Sequence, residues 1–180
     1  SVSAFLLNRS SDLAIVIQFS GLKPGIYAYS YTVDGSFFER FENEELRDGN
    51  VVFEVSMERG ERMLLFNFAY HGTIRTTCDR CLGEMEVPVE GEQRLCVKFS
   101  DTETSDDENV AILPESAFQI DLAQWMYEYV AIAMPIQKVH PEGECDPEML
   151  KYLSDGSEGE EENTTGETDP RWDALKQLKG

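Results

Sequence analysis

Basic residues and long apolar runs are scarce in this chain of 180 residues. It has 15 lysines and arginines against 35 aspartates and glutamates, which gives a formal net charge of −20 at pH 7. A chain with this excess of acid repels phosphate, which disfavours broad binding of naked nucleic acid or of an anionic membrane surface. The longest aliphatic run covers residues 13–17, far short of the ~20 residues that span a bilayer. The partner that this charge favours is a basic protein.

The chain also has few cysteines and no recognisable export signal. Its first ten residues lack a basic region followed by a long apolar stretch, which is the pattern of a secretory signal. Four cysteines without such a signal indicate a reducing compartment, where thiols bind metals or pack in cores more often than they form disulfides. We therefore expect a cytoplasmic protein.

Catalytic motifs are scarce as well. The chain has two histidines, and it contains no nucleophile elbow, phosphate-cradling glycine loop or metalloprotease helix motif. Twelve of its acids fall in segments 101–108 and 154–169, and 23 acids then remain against 15 bases. Such clustering is typical of solvated charge rather than of paired catalytic carboxylates. We expect a non-enzymatic interaction protein.

The order of apolar and polar residues predicts the fold class. The first hundred residues contain many short alternating segments that are joined by turn signals such as Asp34-Gly35, which indicates β-strands. An apolar stripe over residues 120–134 predicts one long helix, with Asp121 as its N-cap and Pro135 after its end. The expected class is α+β, with an antiparallel β-rich sheet or small barrel, one long packing helix and a short C-terminal helix.

The composition divides the chain into three parts. Residues 1–153 form a β-rich globular domain with its helix at about 120–134. Residues 154–168 are acidic and lack large apolar side chains, so they are predicted to be a disordered linker. Residues 169–180 predict a short helix that is too short to be stable alone in water. It must dock either on its own domain or on a partner, and the sequence leaves both open.

Cysteine spacing is the most specific local signal. Cys78 and Cys81 are separated by two residues in a strand-turn context, which is typical of zinc knuckles, whereas a redox pair would open a helix within a βαβ unit. A tetrahedral site needs two more ligands, and His140 and Cys145 are the candidates. The alternative is that His140 is an ordinary loop residue and Cys145 a buried unpaired thiol. Cys96 lies inside a strand pattern and is predicted to pack in the core.

Three segments together resemble a known family. The sequence CDRCLGEMEVPVE, a later helix that starts at IDL and ends at AMPIQ, and the terminal DPRWDALKQLK follow one another in the right order. In this combination the chain resembles, over residues 13–179, the YceD family of large ribosomal RNA subunit accumulation proteins. The resemblance implies a role in ribosome biogenesis, in the accumulation or processing of large-subunit ribosomal RNA.

The resemblance also implies which residues matter. Cys78 and Cys81 match the family motif, whereas many relatives carry a second cysteine pair where this chain has His140 and Cys145. The residues expected to bind a partner are those of the terminal motif: Asp169, Pro170, Arg171, Trp172 and Leu175.

The net charge favours one mechanism over another. A factor that acts directly on RNA should carry a basic groove, whereas an acidic factor suits a basic ribosomal protein of the large subunit, alone or in a pre-ribosomal particle. The alternative is a direct ribosomal RNA-binding or processing protein that uses a local basic patch around the cysteine motif. Arg75, Arg80 and Arg94 are the candidates for such a patch.

Overall fold

The computed structural model describes residues 6–7, 15–43, 46 and 48–155, and within them the protein is strand-rich with few helices. The α+β class is therefore confirmed. The described strands are β1 Leu6–Leu7, β2 Val16–Gln18, β3 Gly25–Val33, β4 Asp48–Arg59, β5 Met63–Thr77, β6 Glu84–Phe99, β7 Val110–Leu113 and β8 Gln119–Asp121. The described helices are α1 Gly35–Phe38, a 3₁₀ turn over Glu39–Phe41, α2 Ala123–Ala133 and α3 Pro147–Asp155.

The main sheet is mixed, which corrects the expected antiparallel sheet. Its strand order is β1-β3-β4-β5-β6-β7, and a separate antiparallel pair joins β2 to β8. The four central strands are antiparallel, but β1 pairs with β3, and β7 with β6, in parallel. A parallel neighbour needs a connection longer than a tight turn, and residues 100–109 provide one between β6 and β7. In the described part of the chain the sheet does not close into a barrel.

The two faces of the main sheet differ in chemistry because the strands alternate apolar and polar residues. In β5 the side chains of Leu64, Phe66, Phe68 and Tyr70 are buried, while the residues between them are only partly buried. Their partners in β4 include Phe53, opposite Tyr70, and Val55, opposite Phe68. Side chains of one parity share one face of a sheet, so one face forms the core and the other carries smaller and polar groups.

Helix α2 covers the apolar face. Its Met126, Tyr129 and Val130 are buried, and the rings of Tyr129 and Phe68 meet edge to face with centroids 5.1 Å apart. The hydroxyl of Tyr70 donates a hydrogen bond of 3.0 Å to the backbone oxygen of Tyr129. This bond ties the helix to the middle of the sheet.

The predicted long helix over 120–134 is wrong at its start. Residues 119–121 form β8, so α2 begins at Ala123 and has 11 residues. The carboxylate of Asp121 accepts hydrogen bonds from the backbone N–H groups of Ala123 and Ile15, at 3.0 and 3.1 Å. It therefore supports the helix start, as an N-cap would, and also holds the chain before β2. The end of the helix before Pro135 is confirmed.

Helix α3 was not predicted from the sequence. Its signal is the pair Asp146-Pro147, a capping residue followed by proline at the first helical position, and Asp146 Oδ1 accepts the N–H of Glu148 at 2.8 Å. The helix continues to Asp155, two residues into the predicted linker. None of the described helices is long and apolar enough to cross a membrane.

The rest of the predicted linker and the whole C-terminal segment 169–180 lie outside the described residues. This includes all of the predicted partner-binding residues, namely Asp169, Pro170, Arg171, Trp172 and Leu175.

One glycine on β6 makes the contact between sheet and helix possible, and its substitution tests this packing. Gly91 lies opposite Tyr70, and a Cβ there would lie 2.5 Å from Tyr70 Oη and 2.7 Å from its Cζ. We expect Gly91→Ala to lower the free energy of unfolding by about 1–3 kcal/mol, because the ring must move. Urea denaturation measures the change. Glu90→Ala, at an exposed neighbour, should change it by less than about 0.5 kcal/mol. Equal stability of both variants would contradict the packing of Tyr70 beneath α2.

Candidate metal centre

The tight turn between β5 and β6 places two thiols side by side. The N–H of Cys78 donates to the oxygen of Gly83 at 2.8 Å, and the N–H of Leu82 donates to the oxygen of Cys78 at 2.9 Å. Leu82 has a φ of 58° and lies in the left-handed region, which ends the turn and returns the chain to β6. The Cys78 and Cys81 side chains are both buried, at 0% and 3% exposure.

A second loop, after α2, is joined to this turn by a pair of hydrogen bonds. The N–H of Asp79 donates to the oxygen of Lys138 at 2.6 Å, and the N–H of Lys138 donates back to the Asp79 carboxylate at 2.7 Å. The bonds lie two residues before His140, so they bring the histidine to the cysteine pair. Asp79 was not among the predicted site residues, although it lies between the two cysteines.

All four predicted ligands converge at this point. Cys78 Sγ lies 3.9 Å from Cys145 Sγ, and His140 Nδ1 lies 3.4 Å from Cys81 Sγ and 3.9 Å from Cys145 Sγ. The four ligand atoms all lie within 4.8 Å of one another. In a tetrahedral zinc site, bonds of ~2.3 Å to sulfur and ~2.0 Å to nitrogen put neighbouring ligand atoms about 3.5–3.8 Å apart. The cluster could therefore hold one metal ion.

Hydrogen bonds around the cluster orient its ligands. His140 Nε2 lies 3.1 Å from the backbone oxygen of Glu84, so a proton on Nε2 leaves Nδ1 free to face the thiols. The N–H of Arg80 donates to Cys78 Sγ at 3.4 Å, which stabilises a thiolate. Gly83 lies beside the cluster, since a Cβ at this position would be in van der Waals contact with Cys81 Sγ, at 3.4 Å, and with His140 Cε1, at 3.7 Å.

The four groups differ in how readily they ionise. Burial opposes ionisation of Cys78, but hydrogen bonds from backbone groups of Cys81, His140 and Arg80 outweigh it and lower the pKa of this thiol to about 6. Hydrogen bonding from the backbone of Asp146 lowers the pKa of Cys81. Burial raises the pKa of Cys145, and the hydrogen bond with Cys81 raises the pKa of His140. The Cys78–Cys81 pair is therefore biased towards the thiolate form that binds metals.

A small second core surrounds the cluster. Met85 from β6 and Leu150 from α3 pack against Cys78, Cys81 and Cys145, apart from the main core. Helix α3 therefore contributes to this site, which the sequence did not reveal. Four protein ligands complete a tetrahedral shell, and a closed shell is typical of structural rather than catalytic zinc.

The remaining cysteine lies elsewhere. Cys96 is opposite Leu65 and Val110 in the main sheet, on the face away from α2, and it is half-buried rather than in the core. Its predicted core position is therefore wrong. It is also not part of the candidate metal cluster of Cys78, Cys81, His140 and Cys145.

Of the three candidate arginines, Arg80 is exposed in the cysteine turn, whereas Arg75 and Arg94 lie far apart. Arg75 is ion-paired with Asp48 at 2.6 Å, and its other terminal nitrogen lies 3.8 Å from Glu86. Arg94 lies opposite Asn67 and donates to its side-chain oxygen at 3.0 Å. Asn67 and Arg75 are eight residues apart on β5, which is roughly 26 Å along the strand.

Comparison with known proteins adds one finding. The family model described as large ribosomal RNA subunit accumulation protein YceD matches residues 66–179, which is well over half of the chain. The matched range contains the Cys78, Cys81, His140 and Cys145 cluster and the C-terminal motif. No curated protein and no solved structure matches the chain.

Metal content tests the cluster directly. We expect protein purified without chelator to contain about one zinc ion per chain, with metal–sulfur distances near ~2.3 Å and metal–nitrogen distances near ~2.0 Å. Elemental analysis and X-ray absorption spectroscopy measure these quantities. Cys145→Ser should lose most of the metal because one ligand is missing, whereas Cys96→Ser should keep it. Wild-type protein that is folded and free of metal, or equal metal content in both variants, would contradict the site.

Proposed function

The chain belongs to the YceD family of large ribosomal RNA subunit accumulation proteins, and from this premise we propose that it is a non-enzymatic ribosome biogenesis factor that binds a basic ribosomal protein. The family description implies involvement in the accumulation of large-subunit ribosomal RNA. The observation that carries the binding mode is the net charge of −20. An acidic protein attracts the basic proteins that bind ribosomal RNA and repels the RNA itself.

The distribution of charge supports this partner. The connection between β6 and β7 carries five acids in residues 101–108 and no base, and these residues are exposed. Exposed charges of one sign attract an oppositely charged partner over about a Debye length, roughly 8 Å at physiological salt. A basic protein would therefore meet this surface faster than a neutral or acidic one.

Two observations support a non-enzymatic role. Among the described residues, the only group of three or more potential metal ligands is the closed four-ligand cluster. Outside that cluster, the groups with clearly shifted pKa values in the described part of the chain are Tyr29, Tyr31, Tyr70 and Tyr129, and burial raises the pKa of each. Tyr31, Tyr70 and Tyr129 belong to the main core, and Tyr29 packs partly buried against it, so these shifts reflect packing rather than a set of catalytic acids and bases.

We propose that zinc has a structural role in this protein. The ion would hold the turn between β5 and β6 against the loop after α2. The packing of Leu150 against the cysteines would connect α3 to the same site. Structural zinc of this kind contributes directly to folding free energy. A cytoplasmic location fits this role, because a reducing compartment keeps the thiols available for the metal.

Direct RNA binding is the alternative, and the arrangement of arginines weighs against it. Arg75 is ion-paired with Asp48 and lies near Glu86, and Arg94 lies roughly 26 Å away along the hairpin. A phosphate backbone needs several adjacent cations to release its counterions. Arg94 therefore does not share a local patch with Arg75, which leaves fewer adjacent cations around the cysteine motif.

Binding measurements separate the two modes. We expect the purified full chain to bind one of the basic proteins of the large subunit, with affinity falling about tenfold or more from ~50 to ~300 mM salt, because opposite charges attract them. Fluorescence anisotropy measures the affinity. Single-stranded RNA should give no detectable binding at physiological salt. Tight RNA binding that persists after protein contaminants are removed would replace this proposal by the alternative.

The C-terminal segment is proposed as a recognition element. Trp172, Leu175 and Leu178 form one apolar stripe in the sequence, and a tryptophan supplies much of the area that such a stripe can bury. We expect Trp172→Ala to weaken partner binding while the melting temperature changes by less than about 2 °C. Gln177→Ala, which lies off the stripe, should change neither. A large loss of thermal stability in Trp172→Ala would instead indicate docking on the protein's own domain.

A further inference from the structure

The face of the main sheet opposite α2 forms a shallow groove. Its volume is about 930 Å³, and among the described residues no helix lies over it. The strand register places its side chains in two adjacent rows across β3 to β6. The first row is Ser30, Glu54, Ala69 and Glu92, and the second is Ala28, Ser56, Asn67 and Arg94.

The floor of the groove is built from small side chains. Ala28, Ser30, Ser56 and Ala69 are all only partly buried, whereas the opposite face carries large aromatic residues in the same strands. Small side chains extend little from the sheet, so the backbone of another chain can approach the strands closely. The groove is therefore shaped for an extended segment rather than for a bulky apolar anchor.

The walls of the groove carry negative charge. Glu54 and Glu92 lie in the same row on either side of Ala69, about 10 Å apart at a strand spacing of roughly 4.8 Å. Neither carboxylate has an ion-pair partner in the part of the chain that the structure describes. Asn109 and Val110 form the far wall, and the acidic residues 101–108 lead directly into them. Among the described residues that line the groove, Arg94 is the one base, and its Nε donates to Asn67 Oδ1.

We propose that this groove binds an extended, lysine- and arginine-rich peptide segment of a partner protein. Its basic side chains bind the carboxylates of Glu54 and Glu92, while its backbone lies over Ala69. Lysine and arginine suit this site because their long apolar stems cover small side chains and their charged ends reach acids at the rim. This assignment rests on the proposed function, since it names the surface that a basic ribosomal protein would contact.

Charge-neutral replacements of equal size test the assignment. The probe is a fluorescent synthetic peptide of alternating lysine and serine, added to the full chain. We expect the double variant Glu54→Gln, Glu92→Gln to bind it about tenfold more weakly than wild type, which corresponds to two exposed ion pairs. The control Glu39→Gln, Glu128→Gln changes the net charge equally at exposed residues elsewhere. It should bind within about twofold of wild type. Equal weakening in both double variants would mean that net charge alone attracts the peptide.

A steric variant tests occupancy without changing charge. Ala69→Trp places a large ring on the groove floor and should reduce peptide binding as strongly as the double charge variant. Thr73→Trp puts the same ring on the same strand face but outside the groove lining, and it should leave binding unchanged. Circular dichroism confirms that both tryptophan variants fold. Wild-type affinity in a folded Ala69→Trp variant would overturn the groove assignment.

Cys96 provides a reporter inside the groove. It lines the groove and is half-buried, whereas Cys78, Cys81 and Cys145 are buried. We expect the bound peptide to slow alkylation of Cys96 severalfold. Unchanged alkylation at saturating peptide would place the binding site elsewhere, and protection by single-stranded RNA but not by peptide would assign the groove to RNA.

These outcomes are distinguishable from failure of the proposed function. If the groove variants still bind a basic ribosomal protein as wild type does, the groove inference is wrong and the function stands. If wild-type protein binds no basic ribosomal protein at all, the proposed function fails.

Discussion

The pairing of β5 with β6 is the constraint on which the other features depend. The register runs from Met63 opposite Lys98 to Thr77 opposite Glu84, and at that end the chain closes in the cysteine turn. Because side chains alternate between faces, a slip of one residue would move Phe66 and Phe68 from the core to the opposite face. The same slip would move Ala69 out of the groove floor. One register therefore fixes the core, the candidate metal cluster and the groove together.

The candidate site could be predicted from the sequence because its signal is local. Two cysteines three positions apart need only a tight turn to face one ion, and Cys78 to Gly83 form that turn. His140 and Cys145 were identified because thiolate and imidazole suit zinc and because both lie on one loop after the predicted helix. What holds them there was not predictable, because the bonds between Asp79 and Lys138 join residues 59 positions apart. Helix α3 was not predicted, although Asp146 followed by Pro147 is a typical helix-start signal.

The fold class was predicted more successfully than the topology. Alternation in β4 to β6 identifies strands, but it does not reveal whether a short edge strand runs parallel or antiparallel. Strand β8 has three residues and exists because β2 pairs with it, with Ile15 bound to Asp121 across 106 positions. The apolar stripe over residues 120–134 therefore predicted a helix that wrongly included Ile120. Long-range pairing overrides local periodicity when the segment is short.

The two ends of the long hairpin have separate physical supports. At the turn, the four cluster residues and a small apolar shell of Met85 and Leu150 bring the two loops together. Around Ala69 the register is held instead by Phe66, Phe68 and Tyr70 against α2. Ala69 and Cys78 are nine residues apart, roughly 30 Å along an extended strand. Loss of a metal would therefore loosen the turn first and leave the groove in register.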